Sequence, residues 1–489
     1  MVWQERCSVI VMLTGLIEGS KEKCHKYWPD TNQPKPYGQY TVSLCKNEAF
    51  ADYTVRTFLV TVRLQQQRVG DEGLSAPSNE QRFIYQYHFT VWPDKGVPQY
   101  ATAVLRFRKK IINESRHNTA PWIVHCSAGV GRTGAFIVID AMLRQAKEKK
   151  VVDIYNYVRA TRGDRPNMVQ TKDQYVFIHR AVLEALVCGS TDIQAPNLRN
   201  VMTKLEKIRP REQVSGYESE FQRLSIFWLS PDVRVESASR ACNASKNRFP
   251  DILPLDSHRV ALHLSVDKDP GADYINASFA HAYRERNAFI LTQAPLEDTI
   301  ASFWRMVVDY DLGTIVMLNS LDEEDEHFPR YWPSQGAEEY GGIKVELQEE
   351  DDKSFFISRR FDITTKGKST PQRICHFQVT NWSDHSVPDK PLDLLPLLND
   401  IQTSQQKSGD KAIVVQCSDG VGRSGTLCAI MSVIERVKVE HVVDVFQAVK
   451  NLRISRPGAV ETLEQYKFCY DVTLAYLDSF STYGNFSNC

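Results

Sequence analysis

The most reactive arrangement in the chain is His125-Cys126-Ser127-Ala128-Gly129-Val130-Gly131-Arg132-Thr133-Gly134, in which an arginine follows a cysteine by six positions among glycines. Glycines let the backbone curl until several N–H groups point inward, and a helix starting at the loop's end adds its positive dipole end. Such a cup suits a phosphate dianion. The same field favours a thiolate, so Cys126 is expected to be ionised near neutral pH and ready to attack phosphorus. Arg132 is expected to return around the loop and grip two phosphate oxygens with its planar fork, which lysine would do less well. Thr133 brings a hydroxyl close to the sulfur. An isolated Cys-x5-Arg is more often a buried structural cysteine, a turn and a surface arginine. The apolar run before this loop and the helical pattern after it favour the reactive reading.

Those flanking elements occur twice. WIVHC and AIVVQC are short β-branched runs that end at Cys126 and Cys417, and each is followed by a Gly-rich turn and then a helical pattern, AFIVIDAMLRQAKEK or TLCAIMSVIERVK. Further matches keep the same order: MVWQERCSVIVML with MVVDYDLGTIVML, Tyr27-Trp28-Pro29 with Tyr331-Trp332-Pro333, Trp92-Pro93-Asp94 with Trp382-Ser383-Asp384, and Gln170-Thr171 with Glu461-Thr462. Ordered anchors of this kind denote a duplicated domain. The polar, breaker-rich stretch beginning Gly189-Ser190-Thr191-Asp192 predicts a linker over 189–197. The expected layout is a first domain at 1–188, that linker, a second domain at 198–480 and a tail at 481–489. The segment from Lys246 to Met306 has no counterpart ahead of Met1, so the first copy is read as N-terminally truncated.

The ten-residue loop resembles the signature of the protein tyrosine phosphatases, and the resemblance extends over nearly the whole chain. It implies an α/β (α+β) fold in which each copy is a twisted mixed sheet flanked by helices, with the phosphate loop between a strand and a helix. It also implies phosphotyrosyl proteins as substrates, a cysteinyl-phosphate intermediate, and no metal or cofactor. In the family, the loop matching Trp92-Pro93-Asp94-Lys95-Gly96-Val97-Pro98 closes over substrate and its aspartate protonates the leaving phenolate; Asp94 takes that role here. Gln170 resembles the glutamine that orients the hydrolytic water, and Gln174 is the second glutamine of that motif. Lys23 matches a lysine that contacts the acid loop. Residues 127–133 of the loop, Ser127, Ala128, Gly129, Val130, Gly131, Arg132 and Thr133, would line the phosphate.

ALVCGSTDI and the closing ETLEQYKFCYDVTLAYL look most like the receptor-type group with MAM, immunoglobulin and fibronectin ectodomains, the mu/kappa/rho/lambda group. That implies a parent anchored in the plasma membrane upstream of this chain, with the chain on the cytoplasmic side, and junctional or adhesion phosphoproteins as partners. The two domains would be able to dock on one another.

The second copy keeps Cys417, Arg423 and Asp384 but changes their setting: His125, Ala128, Pro93, Gly96 and Gln170 become Gln416, Asp419, Ser383, Ser386 and Glu461. Two added carboxylates repel a dianion and disfavour a thiolate, and the acid loop is expected to lose stiffness with its proline and glycine. Weak or absent activity follows, and the copy reads as regulatory. Phe249 in Lys246-Asn247-Arg248-Phe249 stands where the family has a ring-stacking tyrosine, and phenylalanine can still stack.

Bulk properties fit this reading. With 489 residues, 42% hydrophobic, 24% charged and net charge −1, the chain has the size for two cores and no excess charge that would recommend a nucleic acid. Its 11 cysteines form neither a CxxC pair nor a framework, which points to reduced thiols rather than disulfides or zinc. The longest apolar stretch near the start, Ser8 to Ile17, is about half a bilayer span. The alternative function is a non-catalytic phosphotyrosine-binding or scaffolding fragment. Binding alone, however, requires neither a general acid nor a water-orienting glutamine.

Overall fold

The computed structural model describes residues 1–30, 33–63, 79–94, 96–116, 119–209, 213–226, 234–263, 270–323, 326–367, 370–409 and 411–486. The chain divides into two compact units, Met1–Gly189 and Ser190–Cys489.

The first unit is built on β1 (Val9–Met12), β2 (Ile17–Glu18), β3 (Lys21–Glu22), β4 (Lys35–Tyr37), β5 (Tyr40–Ala49), β6 (Tyr53–Arg63), β7 (Asn79–Phe89) and β8 (Ile123–His125). Its helices are α1 (Thr102–Glu114), α2 (Gly131–Lys149), α3 (Ile154–Asp164) and α4 (Lys172–Cys188). A six-stranded sheet runs β4-β5-β6-β7-β1-β8, antiparallel from β4 to β7 and parallel where β1 joins β7 and β8. β1 reads VIVM and is buried throughout, as a parallel strand covered on both faces must be. Ile10, Met12, Trp28, Leu44, Phe58 and Ile84 pack on one face. Phe107 of α1 sits among Tyr53, Phe89 and Phe136, and joins α1 and α2 to the sheet's other strands.

This order places the C-terminal ends of β1 and β8 side by side, with Met12 opposite His125. The segments leaving those two ends are the ones that carry Glu18 and Cys126. α2 begins at Gly131, inside the signature and four residues before the helical pattern predicts, so Arg132 and Thr133 lie in its first turn.

The second unit repeats the plan in a nine-stranded mixed sheet. Its parallel centre joins Phe289–Gln293, Ile413–Cys417, Thr314–Met317 and Gln372–Val379, and its outer strands are antiparallel. Trp304, Tyr331 and Phe361 anchor its core. The stretch predicted as a linker belongs to this unit from Ser190 onward. Ile193–Gln194 pair with Val442–Val443, and the Thr191 hydroxyl donates to Asp444 at 2.7 Å. Polar, breaker-rich composition marked a change of direction there, and ladder bonds fix the segment in place. At the other end the final helix runs Leu463–Phe486, so part of the predicted tail is helical. The described cysteines are free thiols. Among the described residues, no helix is long and apolar enough to cross a membrane.

Candidate active site

Cys126 follows the last residue of β8, with its side chain almost covered at 9% exposure. The loop behind it turns at Gly129, whose φ of +71° is the left-handed conformation a glycine accepts without strain. Burial works against the thiolate. It is outweighed by hydrogen bonds to the sulfur from the Thr133 hydroxyl, at 3.2 Å, and from the N–H groups of Thr133, Gly129 and Val130, which together hold the thiol below its ordinary range. α2 adds its N-terminal dipole from the same side.

Arg132 does not reach freely around the loop. Its Nη1 and Nη2 donate to the two oxygens of Glu18 at 2.5 and 2.7 Å, and further to the carbonyls of Leu13 at 3.2 Å and Pro93 at 3.1 Å. Glu18 is thereby the residue that aims the fork, and Thr14 Oγ and the Gly15 N–H hold its Oε1 from behind. Although burial opposes ionisation of Glu18, Arg132 and the Gly15 N–H bring its carboxyl down to about 2. The residue lies at the turn of the β2–β3 hairpin. In the sequence it is one charge among several in IEGSKEK, which hides its role.

Asp94 stands at the opposite wall, paired with Lys23 at 2.9 Å. The Trp92 indole N–H donates to Gly96 O at 3.3 Å and closes the turn, with Gly96 at φ +80°. Lys95 lies outside the described residues. Gln170 is exposed at the rim, and Gln174 is buried beneath it as a helix cap: its Oε1 accepts from the Gln170 and Thr171 N–H groups, and its own N–H donates to Thr171 Oγ. A Cβ on Gly131 would lie 2.8 Å from the Gln174 amide, so the loop and this cap pack directly.

These residues enclose one cavity of about 300 Å³, with Cys126, Ser127, Ala128, Gly131 and Arg132 below and Asp94, Lys23, Glu18, Gln170 and Gln174 around it. Gly129, Val130 and Thr133 form the loop's inner side, toward the sulfur.

Two supports lie behind the loop. His125 Nε2 is 2.8 Å from the Tyr27 hydroxyl, which also accepts from Gln86 Nε2 at 2.8 Å; burial holds the imidazole below its ordinary range. The repeated Tyr-Trp-Pro was the available signal for Tyr27. Val169, a β-branched residue at φ +59°, donates its N–H to Val130 O at 3.2 Å, and Arg162 Nη2 donates to its carbonyl at 2.7 Å.

The corresponding cup of the second unit is closed. Cys417 and Arg423 are fully buried. Arg423 Nη1 donates to Trp382 O at 2.6 Å and Nη2 lies 3.3 Å from Asp384, which also accepts from the Ser418 hydroxyl at 2.7 Å. Burial and then the Asp419 charge push the Cys417 thiol up to about 12, against a smaller opposing pull from Arg423. The acid loop of this unit carries side-chain hydrogen bonds at the positions where the first unit has Pro93 and Gly96. Ser386 donates its hydroxyl to Ser383 O at 2.7 Å, the Trp382 indole donates to Ser386 O at 2.9 Å, and His385 bonds Glu461 at 2.9 Å. The Trp382 bond repeats that of Trp92 in the first unit, and the Ser386 and His385 bonds are added at substituted positions. Phe249 is half-buried beside Arg248, whose Nη2 donates to Pro295 O.

Comparison with known proteins agrees with this geometry. The family model for protein-tyrosine phosphatase matches residues 1–184 and 243–475. The chain is 41% identical over 490 aligned residues to receptor-type tyrosine-protein phosphatase U of Gallus gallus, covering 99% of this chain and 33% of that protein. It is 40% identical to receptor-type tyrosine-protein phosphatase alpha of Homo sapiens and to receptor-type tyrosine-protein phosphatase S of Gallus gallus, covering 99% of this chain and 59% and 31% of theirs. The chain therefore spans between about a third and three fifths of the length of these relatives.

Proposed function

Because the chain belongs to the protein-tyrosine phosphatase family, we propose that its first unit hydrolyses phosphotyrosine on proteins through Cys126. The Cys126 thiolate attacks phosphorus, an S–P bond forms, and the P–O bond to the tyrosine ring breaks as protonated Asp94 gives its proton to the departing oxygen. Water held by Gln170 then attacks the same phosphorus. Asp94, now a carboxylate, takes the water's proton, and the S–P bond breaks to release phosphate and restore the thiolate. Arg132 stabilises the equatorial oxygens in both steps by exchanging its Pro93 carbonyl contact for phosphate, while Glu18 keeps the fork in plane. No metal or cofactor enters this balance.

The observation that carries the proposal is the contrast between the two cysteines. Cys126 is stabilised as a thiolate at the floor of an open cavity that also holds Arg132, Asp94 and Gln170; Cys417 is sealed and protonated. The same contrast supports a regulatory role for the second unit, with Cys417, Arg423 and Asp384 retained but not at work. A purely phosphotyrosine-binding role for the first unit would leave Asp94 and Gln170 without a task. Further parts of the reading rest on the sequence: membership of the mu/kappa/rho/lambda group on ALVCGSTDI and the final helix, and with it a membrane-anchored parent, a place at the cytoplasmic face and adhesion-associated substrates.

The test is hydrolysis of a phosphotyrosyl peptide by the full chain beside its Cys126→Ser and Cys417→Ser variants, with mass spectrometry of the acid-trapped phosphopeptide. Turnover and the trapped phosphate are expected to vanish with Cys126→Ser and persist with Cys417→Ser. Turnover that follows Cys417 would reverse the assignment.

A further inference from the structure

The second cup is not merely covered; it is filled by a group of its own. Asp419 occupies the position of Ala128, two residues after the cysteine, and its side chain bends back into the loop. Its Oδ1 accepts the Val421 N–H at 2.8 Å and the Gly422 N–H at 3.2 Å, and lies 3.0 Å from Cys417 Sγ. Inward-pointing N–H groups at a helix N-terminus are the donors such a loop offers an oxyanion. The backbone around them is kept: Gly420 holds φ +75° as Gly129 holds +71°, and Arg456 fastens the carbonyls of Asp419 and Gly420 at 3.2 Å each. Above the loop, Asp384 accepts from Ser418 and pairs with Arg423.

We propose that the second unit is a latent oxyanion site held shut by Asp419, whose carboxylate takes the seat of a bound phosphate. Removing that carboxylate frees the Val421 and Gly422 donors and withdraws a negative charge from beside the sulfur. The site then accepts inorganic phosphate or another tetrahedral oxyanion. Repulsion alone is a weaker account, because a merely repelling carboxylate would turn outward to water, whereas this one is 4% exposed and accepts two backbone N–H bonds. The proposal does not depend on the first unit's turnover.

Alkylation of the full chain by neutral iodoacetamide, mapped by peptide mass with and without millimolar inorganic phosphate, reads both cups in one sample. In the unaltered chain, Cys126 should react and be protected by phosphate, while Cys417 stays inert with or without it. In Asp419→Ala, Cys417 should react at least about tenfold faster, since each tenfold gain in thiolate shows directly in rate, and phosphate should slow it. Asp419→Asn keeps an acceptor oxygen of the same reach without the charge, so Cys417 should gain reactivity but no phosphate protection; this variant also preserves the loop's hydrogen bonds, which guards against misfolding. Phosphate protection of Cys417 in the unaltered chain would show an open cup and overturn the proposal. So would an Asp419→Ala chain that melts normally yet leaves Cys417 inert, or reactive without protection.

Discussion

Replacing Glu18 by glutamine tests whether the arginine fork is aimed by its partner or by the loop alone. Glu18 accepts four hydrogen bonds, two of them from Arg132 at 2.5 and 2.7 Å, and its side chain is 9% exposed. Glutamine keeps one acceptor oxygen, turns an amide N–H₂ toward the guanidinium and removes the charge. A charge-assisted hydrogen bond contributes about 1.5–3 kcal/mol, so kcat/KM for a phosphotyrosyl peptide should fall roughly ten- to a hundredfold. Stability should fall by a similar amount, and Glu18→Ala by more, toward the roughly 3–5 kcal/mol of an orphaned partly buried charge. The pH dependence has a definite sign. Because the carboxyl is held at about 2 against an ordinary 4.5, the stability linked to its charge is fully present above about 4.5 and disappears as pH falls through about 2. The gap between the native and Glu18→Gln chains in urea denaturation should therefore be widest above pH 4.5 and close towards pH 2. A gap that does not change with pH, or a Glu18→Gln enzyme with native kcat/KM, would refute the assignment.

Two further substitutions probe the loop itself. Thr133→Val removes the hydroxyl 3.2 Å from Cys126 Sγ and should slow iodoacetamide alkylation of Cys126 near neutral pH by about tenfold, an effect of one charge-assisted hydrogen bond; an unchanged rate would assign the thiolate wholly to the backbone. Gly134→Ala places a Cβ 2.5 Å from the Val169 nitrogen and should destabilise the first unit by about 1–3 kcal/mol in urea, whereas Gly163→Ala, with nothing within 4 Å, should cost nothing or add slightly. Equal effects from the two would show that the close approach at Gly134 carries no load.

What was legible in the sequence was local. The strand, the glycine turn, Arg132 and Thr133 are neighbours along the chain, so their spacing alone brings them to one side of Cys126. Glu18 lies 114 residues from Arg132, in a hairpin whose charges resemble any solvated turn, and only the pairing of β1 with β8 brings it near. Tyr27 and His125 meet by the same route across 98 residues. Asp419 was visible as an added charge, but whether a carboxylate points into a cup or out to water depends on which N–H groups remain unpaired there. The stretch read as a linker follows a related rule: composition registers where a chain bends, and the Val442–Val443 strand that captures Ile193–Gln194 lies far along the sequence.

The valine behind each cup has a meaning that emerges from comparing the two. Val169 and Val460 hold φ +59° and +60°, and an arginine, Arg162 or Arg453, clamps each carbonyl at 2.7 Å. Such a conformation in a β-branched residue costs on the order of 1–3 kcal/mol, which is often associated with reactivity. Here it appears unchanged in a unit whose cysteine is sealed. The distortion therefore belongs to the mould that shapes the loop rather than to the reaction performed in it. Duplication has carried the mould forward intact while what fills it diverged.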